Sequence, residues 1–163
     1  MKKIISIIFI SILFISCSDQ EKKLPNIIVI ISDDQGYADV GFHGSKEVRT
    51  PNIDRIANNG VIFSDGYVSY AVCSPSRAGL ITGRYQNRFG YSRNILLTPK
   101  DSTMGLPLSE QTLPDVLKEA NYKTKAIGKW HLGAHESLVP QKRGFDEFYG
   151  FVIVVNGDVV VVV

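Results

Sequence analysis

Residues Ile27-Ile28-Val29-Ile30-Ile31 are an unbroken β-branched run, bounded by Pro25 and by Asp33-Asp34. Such side chains are stiff at χ1 and favour extended backbone. A run with no polar alternation suits a strand covered on both faces, as in a parallel sheet between layers of helices. No other segment constrains the architecture so strongly, because a parallel sheet demands crossover connections and cover on both sides. Ligand sites of open α/β folds gather beyond the carboxyl ends of such strands, and here two aspartates stand at that place. Adjacent carboxylates repel one another. Either a hard cation such as Ca²⁺ or Mg²⁺ holds Asp33 and Asp34 together, or they form a turn and a helix cap.

The segments that follow extend this reading. From Asn52 to Asn58 the spacing of Ile53, Ile56 and Ala57 fits a helix that Asn59-Gly60 would end, and Val61-Ile62-Phe63 reads as a short strand. Pro75, Ser76 and Gly83 predict a short helix from Arg77 to Thr82, with Cys73 near its positive end, where a nucleophile or an anion is favoured. Residues 84–109 carry several Gly, Ser, Asn and Pro residues and read as a long loop. Thr112 begins the clearest helix, with Pro114 in its first turn and Leu113, Val116, Leu117 and Ala120 on one face. Lys123 to Ile127 is the next strand, leading into Gly128-Lys129-Trp130-His131-Leu132-Gly133. Lys129 and His131 are two apart, so in extended chain they project to one face, either as a solvated pair or as an anion-binding pair. The order of elements argues for an α/β domain around a largely parallel sheet.

The chain opens with Lys2 and Lys3 and an apolar run from Ile4 to Ile15, and its first acidic residue is Asp19. Residues 1–16 read as an export signal, too short in apolar length for a permanent span. Phe14-Ile15-Ser16-Cys17 resembles a bacterial lipoprotein cleavage site, so lipidation of Cys17 is expected, ahead of cleavage by an ordinary signal peptidase. Residues 17–24 would be the lipidated cysteine and its tether, 25–151 the folded portion, and 152–163 an atypical valine-rich tail. That tail has the pattern of a hairpin about Asn156-Gly157 and is assigned no function. Without Lys2 and Lys3 the 18 basic residues fall to 16, matching the 16 acidic ones. No basic surplus then remains to hold a phosphate backbone, which excludes nucleic acid as a partner.

Cys73-Ser74-Pro75-Ser76-Arg77-Ala78-Gly79-Leu80-Ile81-Thr82-Gly83-Arg84 resembles the signature of the formylglycine-dependent (type I) sulfatases, with every fixed position filled. Asn26 to Tyr37 resembles the family's metal-binding opening segment, and Gly128 to Gly133 its Gly-Lys-Trp-His-Leu-Gly segment. The resemblance runs from about Pro25 to Phe151, the front part of the family's catalytic domain, so the chain is expected to be a fragment with little activity of its own.

The resemblance implies an alkaline phosphatase-like α/β fold, truncated, with a mostly parallel sheet flanked by helices. It implies that a formylglycine-generating or sulfatase-maturing enzyme oxidises Cys73 to formylglycine, which leaves no cysteine pair for a disulfide. The implied catalytic residues are Cys73, Arg77, Lys129 and His131, and the implied metal ligands are Asp33, Asp34 and modified Cys73, holding Ca²⁺ or Mg²⁺. Lys129 would contact the sulfate group, His131 the hydrate of the aldehyde, and Arg77 both. Thr82, Gly83 and Arg84 would serve recognition by the maturing enzyme, while His43 and His135 read as loop or surface histidines. The expected activity is hydrolysis of a sulfuric ester, on a sulfated small molecule or glycan, in the bacterial cell envelope at the periplasmic or outer-membrane face. Three alternatives stay open: a phosphodiesterase or phosphonate hydrolase of the same superfamily, a lipid-anchored binder of anions or glycans, and a plain reactive thiolate at Cys73.

Overall fold

The computed structural model describes residues 23–96, 98–155 and 158–162, so the expected export signal of residues 1–16 and the expected lipidation of Cys17 fall outside the described residues. The chain divides into two compact units, Met1–Gln35 and Gly36–Val163. Among the described residues no helix is long and apolar enough to cross a membrane.

In the first unit, residues 23–35 contain neither helix nor strand. Ile27 to Ile31 were expected to form a strand buried on both faces; instead their side chains are 50 to 82 % exposed. Five β-branched residues dictate extension, but a strand also needs a neighbour to bond, and the sheet among the described residues is built from later segments. Asp34 adopts left-handed backbone, with φ 56°.

The second unit carries the regular structure. Helix α1 spans Pro51–Asn58, one residue longer than its apolar spacing predicts, with proline at its start and Asn59 closing it. The strand expected at Val61-Ile62-Phe63 is absent: these residues are irregular and at least half exposed. Helix α2 spans Cys73–Thr82 and ends on Gly83, whose φ of 62° is the left-handed cap that glycine adopts without strain. It begins four residues before the predicted start. The first four N–H groups of any helix lack intrahelical partners, so Pro75 is tolerated as the third residue and does not mark the first.

The described residues of the stretch 84–109 are irregular apart from a short 3₁₀ turn at Gln86–Phe89 and a bridge from Gly105 to Gly133. Helix α3, Leu113–Glu119, starts at Thr112 as expected. There the Asp115 carboxylate accepts the Thr112 N–H at 2.9 Å, while Thr112 caps the amide of Asp115.

Strands β1 (Lys125–Lys129), β2 (Glu147–Val155) and β3 (Asp158–Val162) form one sheet in that order. β1 and β2 run parallel, from Lys125 opposite Glu147 to Lys129 opposite Phe151. β2 and β3 run antiparallel, which is the pairing expected of the valine-rich tail. The described sheet therefore has one parallel and one antiparallel pair. Its β1–β2 connection is an irregular stretch with a 3₁₀ turn at Pro140–Lys142.

The core joins α2 to this sheet: Ala78, Tyr91, Leu106, Trp130, Leu132, Phe148 and Val152 form one buried cluster. The Trp130 indole N–H donates to the Leu138 carbonyl at 2.9 Å, so the ring is buried without losing its hydrogen bond. At the β1–β2 contact the backbones of Gly128 and Gly150 approach so closely that a Cβ on Gly150 would stand 2.0 Å from the Gly128 oxygen. Gly150→Ala is expected to lower stability by about 1–3 kcal/mol, read as a lower urea midpoint with unchanged m-value. An unchanged midpoint would contradict this close pairing.

Candidate active site

Cys73 is the first residue of α2, preceded by Val72, whose side chain offers no cap. The helix start is completed from a distance. Asn94, in the loop twenty positions on, accepts the Ser74 N–H through its side-chain oxygen at 3.0 Å. Pro75 has no N–H to satisfy, and Ser76 N–H already donates back to the Val72 carbonyl. The half-buried Cys73 thiol is free of any disulfide and sits where the helix dipole presents its positive end.

Strand β1 brings the second set of groups to this helix. The Lys129 ammonium donates to Cys73 Sγ at 3.4 Å. The Arg77 guanidinium, one turn along α2, donates to the Lys129 carbonyl at 2.6 Å, and the Ser74 hydroxyl donates to the His131 carbonyl at 2.7 Å. Ser74 and Arg77 are three apart and share a face of α2, and the carbonyls they meet are two apart.

The expectation that Lys129 and His131 share a strand face is not met. β1 ends at Lys129, and His131 turns into left-handed backbone with φ 59°, so strand alternation does not reach it. Its imidazole is buried, while Lys129 is half-buried. The turn is held by three further bonds: Trp130 N–H to the Phe151 carbonyl at 3.0 Å, His131 N–H to the Val152 carbonyl at 2.7 Å, and Leu106 N–H to the Leu132 carbonyl at 2.8 Å.

The second unit therefore brings Cys73, Arg77, Lys129 and the His131 backbone together through hydrogen bonds that the sequence spacing does not reveal. Asp33 and Asp34 belong to the first unit, and both are exposed. His43, the last residue of a 3₁₀ turn at Gly41–His43, bonds the Tyr37 carbonyl, and His135 bonds the Ser137 hydroxyl. Arg84, at the end of the cysteine-containing segment, is ion-paired to the buried Glu110 carboxylate and lies 5.6 Å from the centre of the Phe89 ring.

Sequence reasoning did not single out Ser74, Tyr91 or Asn94. Tyr91 meets the Ser74 hydroxyl at 2.8 Å and is buried, which pushes its phenol up to about 12. Only Ser74 carried a usable signal, as the neighbour of Cys73 inside the matched pattern; the other two lie in loop sequence without periodicity.

Residues 25–158 match the profile of the Sulfatase family. The chain belongs to the sulfatase family. It is 45 % identical over 132 residues to human N-acetylgalactosamine-6-sulfatase, a match covering 77 % of this chain and 25 % of that protein. Among solved structures, Ps i-CgsB superposes with a TM-score of 0.71 at 51 % identity, over 78 % of this chain and 28 % of that one. It is also known in complex with k-i-k-neocarrahexaose. PsFucS1 sulfatase from Pseudoalteromonas sp. superposes with a TM-score of 0.66 at 40 % identity, over 75 % of this chain and 25 % of that one. At these identities the likeness extends to the α/β sulfatase fold, of which this chain spans about a quarter of the length of the curated relatives it matches.

Burial disfavours the Tyr91 phenolate, so spectrophotometric titration should show one tyrosine ionising near pH 12 in the folded sulfatase chain. Because the folded value lies above the unfolded one, this group's contribution is complete below pH 10. It is lost between about pH 10 and 12, at up to about 1.4 kcal/mol per unit. Ionisation of every tyrosine near pH 10 while the chain stays folded would contradict the buried contact with Ser74.

Proposed function

We propose that this chain is the nucleophile-bearing part of a sulfuric ester hydrolase that releases sulfate from a sulfated glycan, with Cys73 converted to formylglycine. The observation that carries the reading is the meeting of Cys73 with the Lys129 ammonium, in a chain that fills every fixed position of the family's cysteine segment. A sulfate monoester is an anion, and an anionic nucleophile approaches it against repulsion, so positive charge must be in place beforehand. Arg77 and Lys129 supply it: the guanidinium as a planar fork, anchored through the Lys129 carbonyl, and the ammonium as a point charge beside position 73.

Formylglycine at position 73 would, as its hydrate, supply one hydroxyl to attack sulfur as the ester S–O bond breaks and the alcohol leaves, and a second whose proton loss would restore the aldehyde by breaking the C–O bond to the departing sulfate. His131 holds or accepts that proton at its imidazole, near the start of α2 to which its backbone is bonded. A thiol at position 73 would lack the second hydroxyl, which is why the modification matters.

The proposed ligands of the cation, carried over from the family's motifs, are Asp33, Asp34 and modified Cys73. Two carboxylates are hard donors that suit Ca²⁺ or Mg²⁺, whereas a thiol sulfur is soft, so position 73 fits such an ion only once it carries oxygen. Bound there, the ion would draw charge from the sulfate group. Two aspartates and one modified residue fall short of the usual six to eight oxygens. Calorimetric titration of the 163-residue chain with Ca²⁺ is therefore expected to give a dissociation constant no tighter than about 10⁻⁴ M, and micromolar binding would contradict this ligand set.

The glycan reading draws support from two relatives: one is named for N-acetylgalactosamine, and the other is known in complex with k-i-k-neocarrahexaose. The partners that complete the proposal are a formylglycine-generating or sulfatase-maturing enzyme and, through lipid on Cys17, the membrane of a bacterial cell envelope. The last rests on the amino-terminal sequence alone.

The test is hydrolysis of paired aryl sulfate and aryl phosphate by a parent protein of family length. Preference for the sulfate is expected, with Cys73→Ala abolishing turnover and Lys129→Ala lowering kcat/KM by about 10²–10³-fold. Equal or better cleavage of the phosphate, or indifference to Cys73→Ala, would overturn the reading.

A further inference from the structure

The left-handed backbone of His131 is uncommon for a residue with a side chain, and such strain persists only where the surroundings over-determine it. Its N–H is held by Val152 in β2, and its carbonyl by the hydroxyl of Ser74, which is fully buried. Ser74 has one hydroxyl proton. The His131 carbonyl can only accept, so that proton points at His131, and the Tyr91 hydroxyl must then be the donor in its 2.8 Å contact with Ser74. The result is a directed chain, Tyr91 O–H to Ser74 O–H to the His131 carbonyl. A phenol is neutral at physiological pH, and burial pushes that of Tyr91 further up, so it is able to donate there. Ser74 is also tied through its own N–H to Asn94 and adjoins Cys73 in the first turn of α2.

We propose that Ser74, backed by Tyr91, is a positioning residue for the sulfatase reaction, locking the His131 peptide against the helix turn that presents position 73. The inference rests on the function proposed above for its catalytic meaning, but the lock itself is a property of the fold. Ser74 touches no reacting group and works through the peptide it holds. Arg77 makes a parallel bond to the Lys129 carbonyl, so loss of Ser74 would free the histidine end of the contact while leaving the lysine end in place.

The experiment has two arms. In the 163-residue chain, amide hydrogen exchange is compared for wild type, Ser74→Ala, Ser74→Thr and Tyr91→Phe. Ser74→Ala is expected to speed exchange at His131 by at least about tenfold while the amides of α3 keep their protection, since release of one local restraint opens that turn alone. Ser74→Thr retains the hydroxyl and should restore protection. Tyr91→Phe leaves the Ser74-to-His131 bond in place and should fall between wild type and Ser74→Ala.

In the matured family-length parent, Ser74→Ala should lower kcat by about 10–100-fold with KM nearly unchanged, as misplacement of a proton-handling group does, and threonine should rescue it. Unchanged His131 exchange in Ser74→Ala, failure of threonine to restore it, or a rise in KM equal to the fall in kcat would overturn the proposal. Should Ser74→Ala fail to fold, Tyr91→Phe decides: faster exchange confined to the His131 turn supports the lock, and none overturns it. The exchange arm needs no turnover, so a parent that cleaves no sulfate ester would defeat the proposed function while leaving the lock decided by exchange.

Discussion

Two side chains on one face of α2, Ser74 and Arg77, are bonded to two backbone carbonyls at the end of β1. Everything else about the site depends on that stitch. It brings the start of a helix, with its positive dipole end, against the chain leaving β1, which carries Lys129 and His131. Both bonds are short, and the one from the fully buried Ser74 acts out of competition with water. Because both acceptors are backbone oxygens, the helix is keyed to the path of the chain itself.

Close packing around the stitch allows the strained turn. A Cβ at Gly105 would stand 2.6 Å from the Leu132 carbonyl, one at Gly133 would meet Leu138 at the same distance, and Gly128 and Gly150 touch across the parallel pair. Glycines at these points let three backbone segments converge behind residues 129–133, where Trp130 and Leu132 anchor in the core. The His131 turn is thus held by the apolar burial of its neighbours Trp130 and Leu132 and by the buried Ser74 hydroxyl on its carbonyl. Burial of Tyr91 belongs to the same arrangement: its hydroxyl meets that of Ser74 away from water.

Local signals in the sequence predicted elements whose causes are local. Thr112, Pro114 and the apolar spacing after them marked α3 at its observed start, and Gly83 marked the end of α2 because a left-handed cap has few alternatives to glycine. Local signals failed where structure depends on a partner. Ile27–Ile31 and Val61-Ile62-Phe63 have strand composition without strand pairing, since extension is written in β-branched side chains and hydrogen-bond partners are not. Pro75 misplaced the start of α2 because a proline fits anywhere in a first turn. The motif residues were legible because a long fixed pattern is improbable by chance, but the contacts that assemble them, from Asn94, Tyr91 and the carbonyls of Lys129 and His131, join positions up to 57 residues apart.

Under the proposed function, preorganised positive charge meets a sulfate ester and position 73 provides the nucleophile, a reading supported by family membership and by the bonded set around Cys73. The central claim is that this position does not remain a cysteine. Mass spectrometry of the proteolytic peptide containing Cys73, taken from protein made in a cell that possesses a sulfatase-maturing enzyme, tests it without need of any activity. The account predicts an aldehyde, trapped by a hydrazide probe, in place of the thiol. A peptide carrying an intact, alkylatable sulfhydryl in protein that hydrolyses sulfate esters at full rate would contradict it.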